Sequence, residues 1–409
     1  MPILKAIDRK GIGEENGRII TRPIMIEDCG TKRTFRMEPV YKNVTCLSDY
    51  FKFLKEIHTE NEKRLKAEEK WGGSQFFYRG HENVNYLFEP SIMRNEKDVW
   101  RENLIFKEFH RKFYTQLDEC KSAIEEETFM QHFGAGSRIL DLIENPLVAL
   151  WAACFSEDME KNQKNYGEVS VWVVDNYSDD LKTYDSSTVS VLANVAKMSE
   201  EFLLGNLQAE YRKEHPTLID DYVFIKDVLR GCALVRPKPN NSRIINQQGS
   251  FIVVNLTKLV EKEEDDDGKT FEQKFKVDFE EFSDYILNVE DKNCGKEYPY
   301  LHPNITNLKN GYHTLHGADF SNLTAWDLQF KKIPPSESDF IDTYGLYKYL
   351  YNSTPNRAKT YTPIYFIVPP ECKKNILKEL RYMNITKSYI YPEMQDIAAE
   401  LKNDYCVDE

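Results

Sequence analysis

Two stretches constrain this chain more than any other. One is Gln75-Phe76-Phe77-Tyr78-Arg79-Gly80-His81. The other is Gln131-His132-Phe133-Gly134-Ala135-Gly136-Ser137-Arg138-Ile139-Leu140-Asp141, which leads to Asn145-Pro146-Leu147-Val148-Ala149-Leu150. Each sets charged, amide or glycine residues inside an apolar run. Burial of Arg79, His132, Arg138 or Asp141 costs on the order of several kcal/mol unless the group is paired. A fold of this chain must therefore pair these groups in its interior or bring them to a cleft. For Arg138 and Asp141 the two readings stand level: a ligand site, or an ion pair that stiffens the entrance to the following helix.

That following helix is the clearest local structure. Asn145 suits the capping position and Pro146 the first helical turn, so a helix is expected over Leu147 to Ser156, apolar on all sides and hence buried. A buried helix start leaves backbone N–H groups that attract an anion or a carboxylate such as Asp141. Leu47, Tyr50, Phe51, Phe53 and Leu54 recur at helical spacing behind Ser48, which can cap, and Gly72-Gly73 ends the helix. Gln75 to Arg79 reads as a strand that delivers the arginine at its end. Trp100 to Cys120 reads as one long helix with Leu104, Phe106, Phe109, Phe113 and Leu117 on its apolar face.

Gly167 to Val174 alternates and is β-branched, as a strand should be. Arg243-Ile244-Ile245 and Phe251-Ile252-Val253-Val254 read as two strand pieces interrupted at Gln247-Gln248-Gly249. Arg18 to Ile24 is a short strand, Tyr361 to Val368 another, ended by Pro369-Pro370. Helices are expected around Ile376, Leu377 and Leu380 and around Met394, Ile397, Ala398 and Leu401. Glu261 to Gly268 is a charged surface loop. The mixture implies an α+β fold with a mixed or antiparallel sheet and packed helices. Residues 1–40, rich in glycine and charge, read as an N-terminal extension to a domain over 41–409.

Composition narrows the function classes. A hydrophobic share of 41% with 24 Tyr and 23 Phe supports a real core. No segment has the apolar length of a membrane span, and Met1 to Lys10 has no apolar signal core, so a cytoplasmic location is expected. The eight cysteines are scattered, with no Cys-x-x-Cys and no histidine cluster; no metal site is expected, and Cys154 reads as a small core residue. A net charge of −13 without a dense basic run argues against extended nucleic-acid binding. It leaves room for a small anionic ligand, because pocket potential is local.

The motif residues also carry a family resemblance. An aromatic-rich Tyr78-Arg79-Gly80, then Gln131-His132-Phe133-Gly134, Arg138-Ile139-Leu140-Asp141 and Asn145-Pro146-Leu147-Val148-Ala149-Leu150 resemble the FRG domain, named for its Phe/Tyr-Arg-Gly signature. Downstream, Ser187 to Asn194, Arg243 to Phe251, and Asn384-Ile385-Thr386 leading to Tyr391-Pro392 continue the likeness in order. The family occurs mostly in bacterial and phage proteins. An aromatic-Arg-Gly at a strand end is also similar to the first motif of the ADP-ribosyltransferase fold, in which the arginine holds the dinucleotide. That comparison implies NAD as cofactor and an ADP-ribosyltransferase-like core. It places Gln247-Gln248-Gly249 near the third motif, where Gln248 stands in place of the catalytic glutamate. A neutral amide stabilises a ribosyl cation poorly.

Three readings follow. In the first the chain binds a small anionic ligand, a nucleotide or NAD-like molecule, as a toxin or phage-defence effector. Arg79, Gly80, Gln131, Gln247 and Gln248 then bind the ligand, and His132, Arg138 and Asp141 are the catalytic candidates of a transferase or nucleotide-cleaving enzyme. In the second it is a non-catalytic ligand-sensing or protein-interaction module, with a protein partner or an antitoxin. The third is action on nucleic acid, with His132 as general base. A histidine beside Phe133 is more often structural. Oligomeric state is left open.

Overall fold

The computed structural model describes residues 10–28, 33–158, 164–176, 178, 180–216, 228, 229, 231–240, 242–255, 257–260, 329–333, 349–351, 360–393 and 397. The chain begins with a hairpin, β1 (Ile12–Glu15) and β2 (Arg18–Thr21), and a ribbon, β3 (Ile24–Asp28) and β4 (Arg33–Met37). Next come β5 (Val40–Asn43), helix α1 (Leu47–Ala67) and β6 (Ser74–His81). A 3-10 turn at Ser91–Arg94 leads to α2 (Glu96–Lys112), α3 (Ala123–His132), β7 (Ile139–Ile143), α4 (Pro146–Cys154) and β8 (Gly167–Asp175). Then follow β9 (Leu181–Thr183), α5 (Ser187–Asn194), β10 (Glu201–Leu203), α6 (Leu204–Glu214), β11 (Cys232–Arg236), α7 (Ser242–Gln247), β12 (Gly249–Val254) and β13 (Thr257–Leu259). The last elements are β14 (Gln329–Lys332), β15 (Thr360–Tyr361), β16 (Ile364–Val368) and α8 (Pro370–Tyr382). A one-turn helix at Lys387–Ile390 comes after them.

Eight strands form one mixed sheet in the order β5-β16-β8-β6-β7-β12-β11-β9. The pairs β5–β16 and β9–β11 are parallel and the rest antiparallel, which gives the α+β class. Period-2 alternation supplies a core on each side. Phe77, Leu140, Leu142, Trp172, Ile252 and Tyr365 pack on one face together with Ile12, Ile24, Ile26 and Met37. Residues of the first forty positions thus contribute to the main core. The other face carries Tyr78, Val169, Val171 and Phe366 under α1, α4 and α8. Cys154 is fully buried there.

The central pair of strands is split. β6 pairs with β8 along its whole length, from Ser74↔Asp175 to His81↔Glu168. With β7 it pairs only at Tyr78↔Ile143. Past that point Arg79 to His81 part from Leu142 to Leu140, and β7 runs on against β12 alone. The Ser91–Arg94 turn docks on the freed end of β7: Ile92 N donates to Ser137 O (3.3 Å) and Ser137 N to Ser91 Oγ (3.1 Å).

Several local expectations need correction. Arg243-Ile244-Ile245 is helical, in α7, because Asn246 and Gln247 donate their side-chain amides to Tyr389 O (2.8 Å) and Ile390 O (3.2 Å), a tertiary clamp that overrides β-branched propensity. Cys46, not Ser48, occupies the cap of α1, where Asp49 accepts from Thr45 N and Oγ1. The long helix breaks at Phe113, and Leu104 faces solvent. The expected loop at Glu261 to Gly268 and most of the helix at Met394 to Leu401 lie outside the described residues.

Candidate anion site at the split between two strands

Arg79 stands where the sheet opens. Alternation puts it and His81 on the face that carries Phe77, while Gly80 turns to the other face. A Cβ at Gly80 would lie 2.0 Å from Ala149 O, and one at Gly167 2.1 Å from Ala153 O, so both glycines exist to let the backbone of α4 rest on the sheet. Gly80 is therefore a packing residue that fixes the level at which Arg79 leaves the strand. The guanidinium spans the split: Nε donates to His81 Nε2 (2.9 Å) and Nη1 to the carbonyl oxygen of Asp141 (2.5 Å). Burial pushes Arg79 down to about 10, so it stays protonated at neutral pH, with Asp141 acting in the opposite sense.

Around Arg79 lie groups that the motif reading missed. His81 is buried, and burial together with Arg79 holds it well below its usual value, so the ring is neutral. Its Nδ1 sits 3.9 Å from Glu168 Oε1. Glu168 is fully buried, with Lys10 Nζ 2.6 Å from Oε2. Arg94 lies at the exposed end of its turn and its field reaches Arg79 and His81. Two signals were readable: His81 follows Arg79 at strand period, and Glu168 is a charge inside a strand buried along most of its length.

Asp141 and Gln131 join Arg79. Gln131 Nε2 donates to Asp141 Oδ1 (2.9 Å), and all three side chains keep partial solvent access. Asp141 does not pair with Arg138. That arginine, 1% exposed, reaches into a separate closed cluster, where Nη2 meets Glu102 Oε2 (2.5 Å) and Nη1 meets Asn255 Oδ1 (2.6 Å). Lys332 Nζ binds the same Glu102 oxygen (2.7 Å), and Glu127 accepts from Arg138 N (3.0 Å). Burial, reinforced by Glu102, raises Glu127 to about 8; burial lowers Lys332 to about 8.

His132 lies at the end of α3, Nε2 3.3 Å from Glu393, and its titration is lowered by burial and by Arg243. Arg243 stacks over the Tyr391 ring at 4.6 Å, close to Trp151. Gln247 spends its amide on Ile390 O, and Gln248 turns the chain into β12 with φ +49 and an exposed side chain. The structure thus brings Arg79, Gln131 and Asp141 together through hydrogen bonds and holds His132 at a neighbouring rim. Arg138 and Gln247 spend their polar atoms on other contacts, and the Gln248 side chain is exposed. A groove of about 650 Å³ between α2 and α6, lined by Phe106, Lys107, His110, Lys197 and Phe202 among others, contains none of these residues.

Among the described residues no group of His, Cys, Asp and Glu could hold a metal ion, and no helix is long and apolar enough to cross a membrane. The seam has local cationic excess in an acidic protein: Arg79, Arg94 and Lys10 against Glu168 and Asp141. A planar arginine fork there suits the oxygens of a phosphate or carboxylate. No curated protein and no solved structure matches the chain. The family model that matches is the FRG domain, over residues 74–163, from β6 through α4. The split strands, Arg79, Gln131, Arg138 and Asp141 all fall inside that segment, and the chain carries an FRG domain there.

Proposed function

We propose that the chain binds a small anionic ligand of the nucleotide or NAD-like class at the β6–β7 split, as a bacterial toxin or phage-defence effector. The observation that carries this reading is the Arg79 guanidinium, held across an opening in the sheet with Arg94 beside it and an acid, Asp141, fixed by Gln131. Arg79 and Arg94 take the phosphate oxygens. Asp141 and Gln131 supply an acceptor and an amide for a ribose hydroxyl. In a catalytic version His132 at the rim is the proton-handling group and Asp141 steadies positive charge.

Thermal melting with ADP and NAD tests it. A ligand that binds only the folded state adds ~2.7 kcal/mol at a hundredfold excess over Kd. The wild type should gain that stability, and Arg79→Ala and Arg94→Ala should lose the gain while melting near the wild type in its absence. No gain with either nucleotide overturns the reading. Consumption of NAD by the wild type, abolished in Asp141→Asn, identifies an enzyme; binding without turnover identifies a sensor.

An exposed aromatic ridge favours a protein-interaction module as the second reading. Phe113, Phe109, Phe129 and Phe133 form a chain of tilted and T-shaped ring contacts, with Phe133 61% and Tyr114 60% exposed. Under that reading no nucleotide shifts the melt, and Phe133→Ser removes a co-purifying partner.

A further inference from the structure

We infer that Lys10 positions Arg79 for its ligand by occupying the Glu168 carboxylate, which makes the N-terminal segment a working part of the site. The inference rests on the anion-binding reading above. Glu168 is, among the described residues, the carboxylate on the Arg79 face of β8 that can compete for that guanidinium; its field reaches Arg79, and it lies 3.9 Å from His81. A buried carboxylate draws the nearest cation strongly, since little water screens it. Lys10 Nζ takes that place at 2.6 Å, and is itself held by Tyr86 O (2.8 Å) and the face of Phe88 (4.9 Å).

Arg79 is thereby left in a different geometry. Its Nε donates to His81 Nε2, so the neutral imidazole carries its proton on Nδ1, which has no hydrogen-bond partner; neither has Glu168 Oε1. Its Nη1 is committed to Asp141 O, and among the described residues Nη2 has no partner, so that arm is what a phosphate oxygen meets. Without Lys10, Glu168 either takes up a proton itself, which leaves Arg79 undisturbed, or draws one of two neighbours: Arg79 by rotation away from the split, or His81 by taking up a proton. Either of these neighbours' responses spoils the fork.

The test uses the full chain and ADP as probe. Lys10→Met should weaken ADP binding about tenfold or more, equivalent to ~1.4 kcal/mol. Lys10→Met added to Glu168→Gln should change the ADP Kd by less than about threefold, because Lys10 then has nothing to occupy. A further tenfold loss in that background overturns the inference, and it remains measurable if Lys10→Met alone does not fold. A second readout needs no ligand. His81 faces Arg79 on its own strand, Glu168 on β8, Lys10, Arg94 and the ring of Tyr86. Its ring nitrogens, followed by NMR from about pH 5 to about pH 8, should stay neutral in the wild type and titrate in Lys10→Met. An unchanged ring and an unchanged Arg79 Nε–H signal in folded Lys10→Met overturn the inference. Lack of ADP binding by the wild type sinks only the functional reading and leaves this NMR outcome decisive.

Discussion

Two arginines of the FRG segment meet opposite fates. Arg138 is enclosed with Glu102, Glu127, Lys332 and Asn255, and ties α2, α3, β7, the end of β12 and β14 together. Arg79 spans a gap, bound to one imidazole and one carbonyl, with charge around it left over. The first arrangement has cations and a carboxylate in direct contact, closed off from solvent. The second has a cationic fork whose carboxylate neighbour is already taken. Arginine in an apolar run is therefore ambiguous by itself, and whether a carboxylate touches its guanidinium decides which kind it is.

The sharpest way to break this comparison is removal of the enclosed arginine. Arg138→Ala should cost about 3–5 kcal/mol in urea denaturation, because it leaves the Glu102 carboxylate buried with one cation fewer. A loss below about 1 kcal/mol would show the cluster to be wet and the contrast false. Next is Gly80→Ala: with a Cβ 2.0 Å from Ala149 O, α4 must lift from the sheet, and a destabilisation of about 1–3 kcal/mol is expected by the same measurement.

Glu127→Gln sharpens the comparison through pH. Folding raises this acid from 4.5 to about 8, so its contribution is complete below its unfolded value and drains away as pH rises through about 8. Wild-type stability should fall across that window, and the glutamine variant should flatten the fall. Lys332, lowered to about 8, has the opposite sign and acts above the window. A parallel pH profile for the two proteins would show that Glu127 is ionised in the fold. The smallest change in stability belongs to Arg79→Ala, below about 1 kcal/mol, with complete loss of the nucleotide response.

What the sequence disclosed followed from local chemistry. The Asn145-Pro146 start of α4 is as expected, with Asn145 Oδ1 accepting from Leu147 N (3.0 Å). The alternation at Gly167 gave β8, and the apolar helix after the second motif is buried. Relations across long separations were hidden. Nothing adjacent to Arg138 announces that Glu102, 36 positions away, neutralises it and shares its carboxylate with Lys332, 194 positions away, so Asp141 three residues on was as good a candidate partner as a ligand. The seam was hidden too, since a strand that loses one neighbour halfway reads the same as one that keeps it. Lys10 was unreadable, as one lysine in a charged stretch carries no mark of burial.

The glycines under α4 have a mechanical consequence. With Ala149 O and Ala153 O resting directly on Gly80 and Gly167, no side chain lies between helix and strands to act as a bearing, so β6 and β8 cannot slide under the helix without steric overlap. The jaw of the seam that carries Arg79 is rigid. The opposite jaw is a 3-10 turn fastened to β7 by the two hydrogen bonds between Ser91–Ile92 and Ser137. Arg94 rides on that turn, so any widening of the gap on this side would carry Arg94 with it.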